Sequence, residues 1–378
     1  MKLLSVDLIV LNNFKNDSRV LKEAISLQNN GYDVKVIALH EDPLPESETV
    51  QEIPVYRIKL KSRSWSKNKI VQLFKYIEFI YRCIKQYKKT DILHCNDLNT
   101  LPIGVMIKKF INKNVKIVYD AHEYEINDKP NQNHYSIKIR YFIEKFLIQY
   151  ADKVITVSNG IADEYVRLYG IDKPALVLNT PPFQKIQKKN IFRETLRIKD
   201  EQIVFLYQGG LSQGRGIEIL LDTFKMLQKT PYIIIFMGYG PLKTLIIEAS
   251  EKYENIFYHP AVSPDVLLDY TSSADFGILF YENNCLNHYY CSPNKMFEYL
   301  MAELPIIVSD LYEMKKIVEN ENIGIVAAEN TSEELKKAIK IIADLDQSIL
   351  LANIRKLKTV YNWEVQEQHL VKLYQELD

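Results

Sequence analysis

The chain has 378 residues, more than one hydrophobic core usually organises, so two domains of roughly 180 residues each are expected. An apolar share of 47% with 25% charged residues excludes a disordered or fibrous chain. A formal net charge of zero excludes whole-molecule attraction to nucleic acid and leaves only local patches to consider.

The opening MKLLSVDLIVLNN reads as a first buried strand and not a leader, because Asp7 interrupts the apolar run and no small-residue cleavage site follows. A helix from Ser18 to Asn29 then stops at Asn30 and Gly31, where glycine accepts a left-handed turn. Next come the strands DVKVIAL and VYRIKL, a helix from Lys69 to Tyr87, strand DILHC, a helix opening near Leu101 and Pro102, strand VKIVYD, a helix from Ile137 to Tyr150 and strand KVITVS. This alternation predicts a parallel α/β sheet whose ligands sit outside the carboxyl ends of the strands. The polar strand ends are Asn12, Asn13 and Asn16, then His94, Asn96 and Asp97, then His122 and Glu123, then Ser158 and Asn159.

Between Arg57 and Lys89 there are eleven Lys or Arg residues and one acid, Glu78, interleaved with Trp65, Phe74, Tyr76, Phe79, Tyr81 and Tyr87. Such a stretch suits an anionic membrane surface; an ordinary solvated helix face is the competing reading. No run reaches the ~18 uninterrupted apolar residues that a membrane span needs.

LNTPPF, Leu178 to Phe183, breaks the pattern with adjacent prolines and marks a domain linker. The expected division is therefore residues 1–182, residues 183–361, and a last helix, about 362–378, crossing back to the first domain. The second alternation runs IVFLYQ, a glycine-rich turn, a helix from Ile217 to Leu227, strand YIIIFMG, a helix to Lys252, strand NIFYHP, a helix from Asp265 to Ser272, strand DFGILF, a helix around Lys295 to Met301, strand PIIVS and two terminal helices. Cys83, Cys95, Cys285 and Cys291 are too few for a disulfide framework and show no CxxC spacing, so a cytoplasmic, reducing setting is expected and no metal site. Asp344 and Asp346 form a DxD pair, read here as a solvated helical face and not a metal site.

Three segments carry chemistry. In LYQGGLSQGRGIEIL a strand runs into Gly209, Gly210, Gly214 and Gly216 and straight into a helix, so backbone N–H groups and a helix N-terminus suit a diphosphate, with Arg215 adding charge. The Lys-Ser/Thr pair of a P-loop is missing, since Arg215 is followed by Gly216. GYGPL at Gly238 is a tight turn or a second ligand-facing turn, and it lacks the third glycine of a dinucleotide fingerprint. In CSPNKMFEYLMAELPIIVSD, Ser292 is expected to cap a helix; Lys295 near its start opposes the macrodipole unless an anion sits there, and Glu298 is placed to accept ribose hydroxyls. A surface Lys and Glu pair at helical spacing is the alternative for the last two.

SPNKMFEYLMAELPIIVSD resembles the donor-site segment of retaining glycosyltransferase family 4. NNFKNDSRVLKEAISLQNNGYDVKVIA, YDAHEYE, DKVITVSNGIADEY, GGLSQGRG, MGYGPL and the closing Trp helix follow in that family's order. The resemblance implies a GT-B fold: two Rossmann-like doubly wound α/β domains facing a central cleft. It implies donor binding by Gly209, Gly210, Gly214, Arg215, Gly238, Tyr290, Ser292, Pro293, Asn294, Lys295, Met296 and Glu298. It places Asn16, Asp17, Arg19, Asp97 and His122 on the acceptor side, with His122, Arg215 and Lys295 at the reaction centre; a satisfied structural residue is the competing reading for an isolated histidine at a strand end. The family's basic pair falls at Gly210 and Arg215 and its paired glutamates at Tyr290 and Glu298, so one member of each pair is absent.

The implied reaction is metal-independent transfer of a hexose-type sugar, with no cofactor beyond a UDP- or GDP-linked co-substrate, to a glycan or lipid-linked acceptor in cell-envelope polysaccharide synthesis. The implied setting is cytoplasmic, peripheral at the inner face of the membrane through residues 57–89. A nucleotide-sugar epimerase on the same fold and a non-catalytic nucleotide-sugar or glycan-binding partner remain the alternatives.

Overall fold

A computed structural model describes residues 3–377. The chain forms two compact units: residues 3–127, 132–177 and 367–377, and residues 128–131 with 178–366.

The first unit contains β1 (Ser5–Ile9), α1 (Ser18–Asn29), β2 (Asp33–Leu39), β3 (Ser47–Val50), β4 (Ile53–Ile58), α2 (Lys69–Tyr87), β5 (Ile92–Asn96), α3 (Leu101–Phe110), β6 (Lys116–Ala121), α4 (His134–Leu147), β7 (Lys153–Thr156), α5 (Asn159–Tyr169) and β8 (Ala175–Leu176). The strands order as β3-β4-β2-β1-β5-β6-β7-β8, parallel except for β3. Sequence order reverses direction between β1 and β5, where an open sheet parts its loops to admit a ligand.

Local chemistry sets the element ends. Asp17, Asn68, Asn133 and Ser158 each accept a backbone N–H at the start of α1, α2, α4 and α5. Gly31, at φ +89°, follows α1. Inside β1, Asp7 is fully buried and meets Lys35 of β2 at 3.2 Å. Burial pushes its carboxyl up to about 6 although Lys35 pulls the other way.

The second unit holds α6 (Ile191–Leu196), β9 (Ile203–Gly210), α7 (Ile217–Met226), β10 (Tyr232–Tyr239), α8 (Lys243–Lys252), β11 (Ile256–Pro260), α9 (Leu267–Thr271), β12 (Phe276–Leu279), α10 (Leu286–Tyr290), α11 (Asn294–Met301), β13 (Ile306–Ser309), α12 (Tyr312–Glu321), β14 (Gly324–Ala327), α13 (Ser332–Asp344), α14 (Gln347–Leu357) and the start of α15 (Trp363–Gln375). Its all-parallel sheet runs β11-β10-β9-β12-β13-β14, with the reversal between β9 and β12. One core, including Leu206, Ile235, Phe297 and Val308, lies on one face, and a second, including Phe205, Phe224, Phe236 and Ile339, lies on the other. The residues of α15 from Glu367 onward belong to the first unit.

Four expectations are corrected. A short β3 hairpin precedes β4; its SETV sequence offers little apolar pattern, and its turn uses Gln51 and Glu52 at positive φ in place of the usual Asn-Gly. A sixth strand, β14, separates α12 from the terminal helices, which number three. Ser292 does not cap α11: Pro293 occupies the cap position, and the buried Ser292 hydroxyl lacks a hydrogen-bond partner. Asp346 is the cap of α14, accepting from the Ser348 N–H, so the DxD pair straddles two helices.

Under α4, the Glu144 carboxylate accepts hydroxyl hydrogen bonds from Tyr119, Tyr165 and Tyr169, each 2.6 Å long. These tie β6 and α5 to α4. Glu144→Ala leaves three phenols without their acceptor, at a cost of roughly 3 kcal/mol. The melting midpoint is expected to fall by about 6 to 12 °C, read by circular dichroism; an unchanged midpoint would show that the cluster contributes nothing to the unit.

Candidate functional site

In the second unit the loop after β9 is built from close backbone contacts. Gly238 of β10 pairs in register with Gly209, and a Cβ on Gly238 would stand 1.9 Å from the Gly209 carbonyl oxygen. Gly216 (φ +73°) starts α7, where a Cβ would stand 1.9 Å from the Phe280 carbonyl oxygen. The strand ends therefore approach more closely than any side chain permits. A Cβ on Gly210, by contrast, would meet nothing within 4 Å.

Beside this loop lies Lys295, in the first turn of α11 and only 6% exposed. Its Cε and Nζ stand 3.5 and 3.6 Å from the Cβ position of Gly209. The ammonium lies 3.9 Å from the Tyr207 ring centroid and 5.2 Å from that of Tyr281, yet it has no hydrogen-bond partner. Burial, then the Arg215 charge, holds Lys295 well below its ordinary 10.5. The Arg215 guanidinium lies 4.6 Å from the same Tyr281 ring centroid and touches the Tyr281 hydroxyl. Two cations thus converge on one aromatic ring beside a glycine loop.

On the next turn of α11, Glu298 accepts from Gln208 Nε2 at 2.5 Å, and the Gln208 carbonyl in turn accepts from Thr271 Oγ1 at 2.8 Å. Tyr299, buried behind them, donates to the Leu206 carbonyl and accepts from the Gln208 N–H. The half-buried Glu298 is thereby held at the carboxyl end of β9.

Of the other candidates, Gly214 abuts Asn284 and His288, Asn294 is exposed, and Pro293 is the α11 cap. Met296 packs into the core, so it supports α11 and offers no surface to a ligand. Tyr290 lies against the rings of Tyr289 and Tyr312. Sequence reasoning missed Tyr207 and Gln208, in the second half of β9, and Tyr281 and His288, in the connection after β12; the polar and aromatic character of these segments was the available signal.

In the first unit Arg19 is 4% exposed, with its guanidinium on the Asp120 carboxylate (2.9 to 3.2 Å), Glu23 (3.1 Å) and the Val177 carbonyl (2.7 Å). It lies within α1, and its charge is taken up inside the unit by these partners. Glu23, His94 and Asp120 place potential ligand atoms within 4.8 Å of one another, and the Arg19 guanidinium pairs with both carboxylates of that group. Asp17 is the α1 cap and also accepts from Asn12, while Asn16 is exposed.

Above this cluster His122 is clamped, with Nε2 at 3.2 Å from Asp120 and Nδ1 at 3.4 Å from Asp97, which is itself at φ +63°. Burial alone would lower the imidazole; Asp97 and Asp120 outweigh it and push it up to about 10. His94, fully buried, is driven the other way by burial, and its Nδ1 lies 2.7 Å from the Tyr374 hydroxyl.

The Glycosyltransferase Family 4 model matches residues 18–180, and the Glucosyltransferase 3-like, C-terminal domain model matches residues 219–363. An uncharacterized glycosyltransferase of Methanocaldococcus jannaschii is 22% identical, covering 93% of this chain and 91% of its own length. A chitobiosyldiphosphodolichol beta-mannosyltransferase of Candida albicans is also 22% identical, over 93% of this chain and 83% of its own. Among solved structures, a sucrose-phosphate synthase of Thermosynechococcus elongatus superposes with a TM-score of 0.78 at 18% identity, over 99% of each chain. Anabaena HepE in complex with UDP and glucose does so with a TM-score of 0.75 at 13% identity, over 99% of this chain and 100% of its own.

Because the folded-state His122 value lies above 6.5, the proton is held more tightly in the native state. The resulting stability is fully present below pH 6.5 and is lost as the pH rises through about 10. NMR of the imidazole C–H resonances is expected to show His122 protonated at pH 8, and Asp97→Asn to bring its titration down by a unit or more. A His122 titration near 6.5 in the unmodified chain would contradict the clamp.

Proposed function

We propose, from the premise that this chain is a family 4 glycosyltransferase of the GT-B fold, that it moves a hexose-type sugar from a UDP- or GDP-linked donor to an acceptor hydroxyl with retention of configuration. The observation that carries the donor reading is the Lys295 ammonium, buried without a hydrogen-bond partner against Gly209 and sharing the Tyr281 ring with Arg215. A nucleoside diphosphate supplies the missing anion. The candidate donor-sugar bases include uridine, since a structural relative is described with UDP and glucose. A mannosyl donor is supported by the name of the Candida relative.

In the proposed reaction the acceptor oxygen bonds to the anomeric carbon as the bond from that carbon to the diphosphate oxygen breaks, and the hydroxyl proton passes to the departing phosphate. Charge grows on the diphosphate, so Lys295, Arg215 and the loop amides stabilise the transition state, and no metal ion is assigned a role. Glu298, fixed by Gln208, accepts from the ribose hydroxyls. His122, kept cationic by Asp97 and Asp120, donates to an oxygen of the sugar or the acceptor. Glycan or lipid-linked acceptors of cell-envelope polysaccharide synthesis fit best, because the basic aromatic segment 57–89 suits a membrane-peripheral cytoplasmic enzyme.

Turnover of UDP- and GDP-sugars with a mixed acceptor panel tests the reading. Arg215→Ala is expected to lower kcat ~100-fold or more with a smaller change in donor KM. Loss confined to KM would place Arg215 in ground-state binding alone. Acceptor-free rearrangement by the unmodified chain would select an epimerase, and binding without turnover a non-catalytic partner.

A further inference from the structure

Right-handed crossovers carry α2, α3 and α4 onto one face of the first unit's sheet, because β5, β6 and β7 step in one direction while β1 and β2 step in the other. The three helices lie side by side, α2 against α3 and α3 against α4. A surface helix normally turns a polar stripe to solvent. α2 and α4 do the reverse, whereas α3 buries Leu101, Ile103, Val105 and Ile107 and exposes Met106 and Phe110 near its end.

On α2 the buried residues are Lys75, Phe79 and Cys83. On the opposite side Ile70, Leu73, Phe74, Ile77 and Tyr81 are all more than half exposed, with Ile70 at 70%. On α4, Glu144 and Leu147 are buried, whereas Tyr135, Ile139, Phe142, Ile143 and Phe146 stand in solvent. Phe110, 72% exposed at the end of α3, extends the α4 patch, since Lys109 lies 5.4 to 5.8 Å from the rings of Phe110, Phe146 and Tyr150, and α3 itself packs against α2. Contiguous apolar surface on this scale marks an interaction site.

Charge identifies the occupant. The three helices contain nine Lys or Arg residues and two acids, Glu78 and Glu144, a net of plus seven in a chain whose formal charge is zero. Neither acid presents free negative charge. Glu78 is bonded by the Lys61 and Ser62 N–H groups, the Ser62 hydroxyl and Arg82, and these bonds hold its carboxyl down to about 2 against burial. Glu144 is enclosed by its three tyrosines. Lys67 and Lys69 are exposed at the start of α2, with Trp65 just before them. Lys75 differs: it is buried and donates to the carbonyls of Arg63 and Trp65, so it belongs to the fold and not to the charged rim.

We infer that α2, α3 and α4 together form a face that seats its apolar residues in the interface of an anionic lipid bilayer while its lysines engage the headgroups. Among the described residues no helix is long and apolar enough to cross a membrane, so the contact is interfacial. The inference deepens the lipid-linked acceptor reading, and vesicle binding without donor or acceptor tests it separately from turnover.

The full chain is mixed with phosphatidylcholine vesicles, with or without phosphatidylglycerol, and followed by co-flotation and by Trp65 emission. Binding to the anionic vesicles alone, weakened by salt, with a blue shift of Trp65, is expected. Lys67→Glu with Lys69→Glu is expected to weaken it at least about ten-fold. Phe142→Ser with Phe146→Ser, outside the 57–89 segment, is expected to do the same. Cooperative thermal unfolding of each variant checks its fold, and Glu at position 69 also suits the helix start. Absence of vesicle binding by the unmodified chain overturns the inference, and so does full binding by the folded α4 variant. A concentration-dependent dimer in lipid-free solution that both variants abolish would give the face to a second copy instead.

Discussion

An ammonium group without a hydrogen-bond partner, nearly shut off from water, is the constraint around which the second unit's site is arranged. Burial and then Arg215 disfavour the charged form of this group and lower its proton affinity, so an arriving anion is what favours the ammonium. Two aromatic faces and the glycine loop keep Lys295 in position but supply no counter-ion, and Glu298 on the next turn only partly offsets burial and the Arg215 charge. Arg215 worsens the imbalance, as its contribution to lowering the Lys295 proton affinity shows. An anion arriving here relieves repulsion already present, so the cost of organising the site is met before the ligand binds.

The first unit solves the opposite problem. Arg19 is buried as deeply, but Asp120, Glu23 and the Val177 carbonyl satisfy it. Asp120, held well below the usual carboxylate range by Arg19 and then His122 in spite of burial, passes that order upward to His122. One buried cation is closed within the protein and supports a neighbour, while the other is left open.

The doubly wound fold was readable because punctuation and period agreed. Asp17 and Gly31 bracket α1, Asn68 begins α2, and both helices have the expected bounds. Elements without such marks were missed, as with β3, whose turn lacks glycine, and β14, only four residues long. For the site, the glycines, Arg215, Lys295 and Glu298 were legible from chain order along strand ends. Tyr207, Tyr281 and the burial of Lys295 were not: aromatics at the ends of apolar strands look like core, and a lysine at a helix start looks solvated. The inward turn of Arg19 was hidden for a related reason, since its partners Glu23 and Asp120 come from different elements. The segment 57–89 showed its basic character plainly, but the apolar face continues onto α3 and α4, which only the packing of the three helices brings together.

The central claim is that Lys295 awaits a diphosphate, and titration calorimetry of UDP and GDP against the unmodified chain and Lys295→Met tests it most directly. Methionine keeps the unbranched apolar stem between the two tyrosines and removes the charge. The account predicts micromolar-range binding of one nucleotide by the unmodified chain, weakened at least about 100-fold by the substitution, with the ligand-free variant at least as stable as the parent. Equal nucleotide affinity in the two proteins would contradict it, leaving the buried ammonium as a feature of the fold unrelated to the donor.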